Sequence, residues 1–131
     1  MKLTVSKEGV FIPEFNRNKD LASTDQVTVR YRVPTLAMKN RCRSKPQAKG
    51  IAGASGKVEK MEIVIDKDEN ATLREMLISI SNCAYSEGAA ETKIVNAQSL
   101  IDAPVVFEPL LKEIVKEFDR VLDEAVIDEK N

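Results

Sequence analysis

Two hydrophobic periods run through this chain. In "QVTVRYRV", residues 26–33, Val27, Val29, Tyr31 and Val33 fall on one face, and Thr28, Arg30 and Arg32 on the other. That period of two, built from β-favouring residues, predicts a strand ended by Pro34, which offers no N–H to a ladder. "VEKMEIVID", residues 58–66, alternates more loosely and predicts a second strand, while "GVFIPEF" around Pro13 suits an edge strand or strand end. The polar "NRNKDLASTD" between them reads as turn material, and Thr35 as the N-cap of a short helical piece reaching about Arg43.

The second half changes period. In "TLREMLISISN", Leu73, Met76, Leu77 and Ile80 repeat at helical spacing, and Thr72 with Glu75 three residues on suggests a capping box. "TKIV" at 92–95 fits a short strand, and "NAQSLIDAP" a brief helix started at Asn96 and stopped before Pro104. In the last element Phe107, Leu110, Leu111, Ile114, Val115, Phe118, Val121, Leu122 and Ala125 make one broad apolar stripe. Glu113, Lys116, Glu117 and Arg120 lie opposite, spaced to pair along the helix. Pro109 belongs in its first turn, where a missing N–H costs nothing. Fully burying one large apolar side chain contributes roughly 1.5–3 kcal/mol, so this stripe must pack on the strands, another subunit, or both. Strands first and helices later predict an α+β fold: N-terminal antiparallel strands, then a helical C-terminal half with a long amphipathic last helix. One domain over 1–131 is expected, with a frayed tail at 127–131.

Composition narrows the chemistry. An apolar content of 43% supports a core, and an aromatic content of 5% with no Trp makes that core aliphatic. The net charge of -1 points to neither nucleic acid nor a membrane surface. No apolar run opens the chain and none is long enough to span a bilayer, so a cytoplasmic location and no membrane partner are expected, with Cys42 and Cys83 reduced. The chain has no His, which removes the commonest general base and transition-metal ligand and argues against an enzyme. No catalytic residue, cofactor or metal is expected.

Charge is nevertheless uneven. Residues 39–57 contain Lys39, Arg41, Arg43, Lys45, Lys49 and Lys57 and no acid. As a phosphate loop the stretch fails, because Gly56-Lys57 requires Gly where Ile51 stands and a hydroxyl where Val58 stands. As a nucleic-acid arm it lacks an aromatic to stack on a base. The favoured reading is a flexible basic Gly-containing loop, with a small nucleic-acid-binding regulator using Lys39, Arg41, Arg43, Lys45 and Lys49 as an alternative. "DKDEN" at 66–70 starts like a calcium loop but has Ala71 for the turn glycine and Leu77 for the bidentate Glu. Its acids instead suit the N-terminal end of the following helix. Arg41 and Arg43 beside Cys42 are expected to lower its thiol pKa, and Cys83 reads as a small core residue closing a helix.

The order of the pieces resembles a known family. "FIPEFNRNKDLASTDQVTVRYRVPT" is similar to the start of the small tail assembly chaperones of long-tailed bacteriophages and prophages, and "LREMLISISN" with "TKIVNAQSLIDAPVVFEPLLKEIVKEFDRVL" is similar to their later part. Pro34-Thr35 and Lys112-Glu113-Ile114 are the most recognisable pieces. The resemblance implies non-covalent binding to the tape-measure protein, recruitment of tail-tube subunits, and a bacterial host cell as the setting. A partner surface on Leu110, Ile114, Phe118, Val121, Phe11 and Phe15, possible homo-oligomers, and a structural tail or connector role as alternative follow from the same reading.

Overall fold

The segment around Val29 is the middle strand of a sheet. In the computed structural model, residues 1–42, 45–52, 58–66 and 68–127 are described, with backbone alone for 45–52, 58–66 and 125–127. In chain order the elements are β1 (Glu8–Phe11), β2 (Thr28–Arg32), α1 (Leu36–Cys42), β3 (Lys45–Ala52), β4 (Val58–Asp66), α2 (Glu69–Met76), β5 (Leu77–Ser81), β6 (Ala84–Glu87), β7 (Ala90–Lys93), α3 (Ala97–Ile101) and α4 (Glu108–Ile127). The protein is α+β, as the patterning predicts. Its main sheet is antiparallel, in the order β1-β2-β5; β3-β4 and β6-β7 form separate two-stranded sheets.

Register explains the residue choices in the main sheet. Phe11 lies opposite Val29 and Gly9 opposite Tyr31, while Val29 lies opposite Ile80. A Cβ at position 9 would collide with the Tyr31 ring, so glycine lets that ring lie across β1. Tyr31 then meets Phe118 of α4, with ring centroids 5.4 Å apart at an interplanar angle of 54°. Between Arg30 and Tyr31 the pairing with β5 slips by a bulge, so Tyr31 faces Leu77.

The core is one cluster. Val29, Leu77 and Ile80 from the sheet pack with Leu73 and Met76 of α2, Leu100 of α3, and Leu110, Ile114, Val115, Phe118 and Leu122 of α4. Leu110, Ile114 and Phe118 are fully buried. The expectation that they form a partner surface is therefore corrected. The sheet's inner face needs a cover, and α4 is the longest amphipathic element available to supply it. Val121, Phe11 and Phe15 are half-buried and pack against the same cluster.

Two further expectations change. The helix predicted from Thr72 begins earlier, at Glu69, capped by the Asp68 carboxylate, which accepts from the Ala71 N–H at 3.0 Å. Thr72 is buried inside that helix with its hydroxyl donating to the Asp68 carbonyl, so no Thr72–Glu75 capping box forms. The chain leaves the helix at Leu77 because "LISIS" alternates and is drawn into the ladder with β2, which puts Cys83 after a strand instead of a helix. The basic stretch is also not a loop throughout. Lys39 and Arg41 lie on α1, and Lys45–Ala52 is a strand paired with β4, from Lys45 opposite Asp66 to Ala52 opposite Val58. Arg43, residues 53–57 and the tail beyond Ile127 lie outside the described residues.

Other expectations hold in detail. Thr35 accepts from the Met38 N–H at 3.1 Å and caps α1. Asn96 caps α3 with a reciprocal Ser99 partner, completing a capping box there. Pro109 sits in the first turn of α4. Among the described residues no helix is long and apolar enough to cross a membrane.

Because Phe118 joins the sheet to α4 with no exposed surface, Phe118→Ala should cost about 3–5 kcal/mol in a urea titration. Val95→Ala, at a residue 46% exposed, should stay within about 0.5 kcal/mol.

Candidate protein-interaction surface

The chain between β1 and β2 is held by side chains more than by secondary structure. Asn16 and Arg17 adopt φ of 51° and 58° within the 3-10 turn Phe15–Asp20. This left-handed region is unfavourable for residues with a Cβ, although Asn tolerates it better than Arg. Asn18, buried between them and β2, supplies the restraint. Its amide donates to the carbonyls of Pro13 at 2.9 Å and Val27 at 3.0 Å, and its oxygen accepts the Val27 N–H at 2.6 Å. From α4, the Glu113 carboxylate accepts the N–H groups of Glu14 at 2.6 Å and Phe15 at 3.0 Å. Glu113 thus ties α4 to this loop, and does not simply sit on a solvated charged face. Asn82, itself at φ 61°, donates to the carbonyls of Thr24 and Gln26 and ties the end of β5 to the same loop.

These ties fix an aromatic row. Phe15 and Phe107 have ring centroids 5.9 Å apart, and Phe107 and Tyr85 5.7 Å apart. Phe107 closes a 3-10 turn, Val105–Phe107, whose N–H at Phe107 donates to the Pro104 carbonyl at 2.9 Å. With Phe107 turned inward, Val105 and Val106 face solvent at 81% and 66% exposure. Pro104 before the turn and Pro109 just after it restrict the backbone on both sides.

Two grooves meet at this ridge, and Phe107 lines both. One, of about 490 Å³, runs past Phe15, Leu21, Val27, Cys83 and Val106. The other, of about 360 Å³, runs past Leu100, Ile101, Pro104, Val105 and Leu111, with Glu108 and Lys112 at its polar side. Lys112 is ion-paired with Glu69 of α2. Leu21, 49% exposed, adds apolar surface beside the larger groove. The result is an apolar ridge held between two shallow recesses whose linings mix polar and apolar groups, Asn16, Asn18 and Asn82 in the larger and Glu108 and Lys112 in the smaller.

The basic positions do not converge on this ridge. Arg41 is held by Glu75 of α2 through two hydrogen bonds of 3.0 Å, which lowers the Glu75 carboxyl pKa below its ordinary value. Lys39 lies on the same helix as Arg41, and Lys45 and Lys49 occupy β3 opposite Asp66 and Glu62. Cys42 departs from expectation, whereas Cys83 lies in the core as the sequence predicts. Burial, reinforced by Glu75, raises the Cys42 pKa and outweighs Arg41, whose guanidinium is committed to Glu75. Burial alone raises that of Cys83. Neither is set up as a nucleophile. Among the described residues no group of three or more His, Cys, Asp or Glu is placed to hold a metal ion.

Sequence reasoning passed over Val105, Val106 and Leu21, and gave Asn18 no role. The signal for the valines was present: in "APVVFEP" two consecutive valines stand between prolines, outside the helical stripe. Compared with known protein families, characterised proteins and solved structures, the chain matches none.

Replacing Asn18 by Ala orphans the Val27 N–H and two carbonyls, so N18A should lose about 2–4 kcal/mol of stability by thermal or urea melting. Raised thiol pKa values mean that the unfolded chain releases these protons first. Stability is complete below the thiol range and should fall as pH rises through it. In the C42A/C83A variant, pH-dependent melts should show a shallower alkaline loss.

Proposed function

We propose that this protein works by non-covalent binding of another polypeptide, as a tail assembly chaperone of a bacteriophage or prophage. Its client in this reading is the tape-measure protein, whose long helical chain it keeps from aggregating while tail-tube subunits are recruited. The observation that carries the reading is the ridge of Val105 and Val106 between its two grooves. Val105 and Val106 stand side by side at 81% and 66% exposure on a turn held between Pro104 and Pro109. The resemblance of the N-terminal turn and the final helix to tail assembly chaperones supplies the kind of partner. A chain without His fits the same reading, which sets it in the host cytoplasm and calls for no cofactor.

The site differs from the one the stripe of α4 suggests. Phe107, at the end of the ridge's own turn, and Leu111 of α4 flank the ridge, and the ridge meets the client. An amphipathic client helix would set its apolar side chains into the recesses on either side of the valines. With few aromatic or arginine anchors at the surface, each contact is weak, which suits a partner that must be released as the tube assembles.

Co-expression with the tape-measure protein encoded beside it tests this. Wild type should raise the client's soluble fraction, and V105D/V106D should abolish that effect. The variant's own melting should change by no more than about 0.5 kcal/mol, since both side chains already face water. A client whose solubility ignores the wild-type protein, or stoichiometric recovery of the protein in finished particles, contradicts the proposal.

A further inference from the structure

The stretch Lys45–Asp66 carries an inference independent of that function. Among the described residues β3 and β4 pair only with each other, and their sheet is not hydrogen-bonded to either of the others. The register sorts their residues into two unlike faces. On one, Pro46 is opposite Ile65, Ala48 opposite Ile63, and Gly50 opposite Met61, before a bulge between Ile51 and Ala52 breaks the alternation ahead of the last pair, Ala52 and Val58. On the other, Lys45 is opposite Asp66, Gln47 opposite Val64, Lys49 opposite Glu62, and Ile51 opposite Lys60. The second face is matched within the hairpin, because opposite charges stand across the ladder at two of its four positions. The first face is apolar at all six of these positions, and a two-stranded sheet is at best marginally stable in water unless such a face is covered.

We propose that this hairpin is a homodimerisation arm, its apolar face packed on the same face of a second copy. The occupant follows from the distribution of sizes. All the large residues of that face, Met61, Ile63 and Ile65, stand on β4, and all the small or flat ones, Pro46, Ala48 and Gly50, stand on β3. Each face therefore has a ridge strand beside a furrow strand. A two-fold axis parallel to the strands lays the ridge of one copy along the furrow of the other, twice over. Ile65, Ile63 and Met61 of the second copy then fall at the levels of Pro46, Ala48 and Gly50. Such self-complementarity is what an isologous contact requires, and the charges matched on the far face do not oppose it. With only six positions per copy the contact is smaller than a standard stable interface, so the dimer dissociates on dilution.

Sedimentation equilibrium or light scattering over a concentration series tests the arm. Wild type should rise from the 14.6 kDa chain mass towards twice that value as concentration increases. Ile63→Lys should stay monomeric, and Val64→Lys, on the opposite face, should dimerise like wild type. Ala48→Leu is the sharper variant, since it keeps the hairpin apolar and strand-compatible while filling the furrow. It should weaken the dimer by about tenfold, and A48L/I63A should restore it by exchanging large for small. A wild-type protein that remains monomeric throughout overturns the proposal, including one whose hairpin is protected only when a different polypeptide is added. So does a dimer that A48L leaves unchanged or tightens, which would mark an unspecific greasy patch.

Discussion

The burial of α4 against the inner face of the β1-β2-β5 sheet is the interaction on which the remaining structure depends. Three short strands expose one apolar face, and α2, α3 and α4 together cover it. Phe118 lies at the middle of this arrangement. Its ring meets Tyr31, and Tyr31 can lie there only because Gly9 leaves room on β1. Of the stripe that the sequence leaves to the strands, another subunit, or both, Leu110, Ile114, Val115, Phe118 and Leu122 are buried in the core of the chain itself.

From that packing the rest can be followed outward. Because α4 is fixed, Glu113 can accept two N–H groups from the loop after β1. Asn18 and Asn82 hold the same loop from the β2 and β5 sides. These polar ties work where no regular ladder reaches, and each satisfies backbone groups that would otherwise be orphaned. They set Phe15 against Phe107, and Phe107 in turn sets the outward direction of Val105 and Val106. The proposed client surface is a consequence of core geometry three steps away, and it needs no moving part.

Elements whose residues agree at every level were legible in the sequence. β2 alternates without interruption, α3 has Asn96 at its cap, α4 has eight apolar residues at helical spacing, and Thr35 follows a proline. Legibility failed where one pattern served two periods. Leu73, Met76, Leu77 and Ile80 satisfy helical spacing, yet the chain changes to a strand at Leu77, and the alternation in "LISIS" was the competing signal. It failed again in β3, where Pro46 and Gly50 disguise a strand and only pairing with β4 exposes the order in its charges. The exposed valine ridge was missed for a different reason. Val105 and Val106 follow no period, and their exposure depends on a turn that only the fold positions.

Native-state hydrogen exchange of the free protein tests the central claim most directly. If α4 is the cover of the core, its amides from Leu110 to Leu122 exchange only through global unfolding, with the same free energy as those of Val29 and Ile80. Exchange of α4 at a much lower free energy, with the sheet still protected, would contradict this. The helix would then lift away and offer its apolar stripe to partners, in place of the valine ridge.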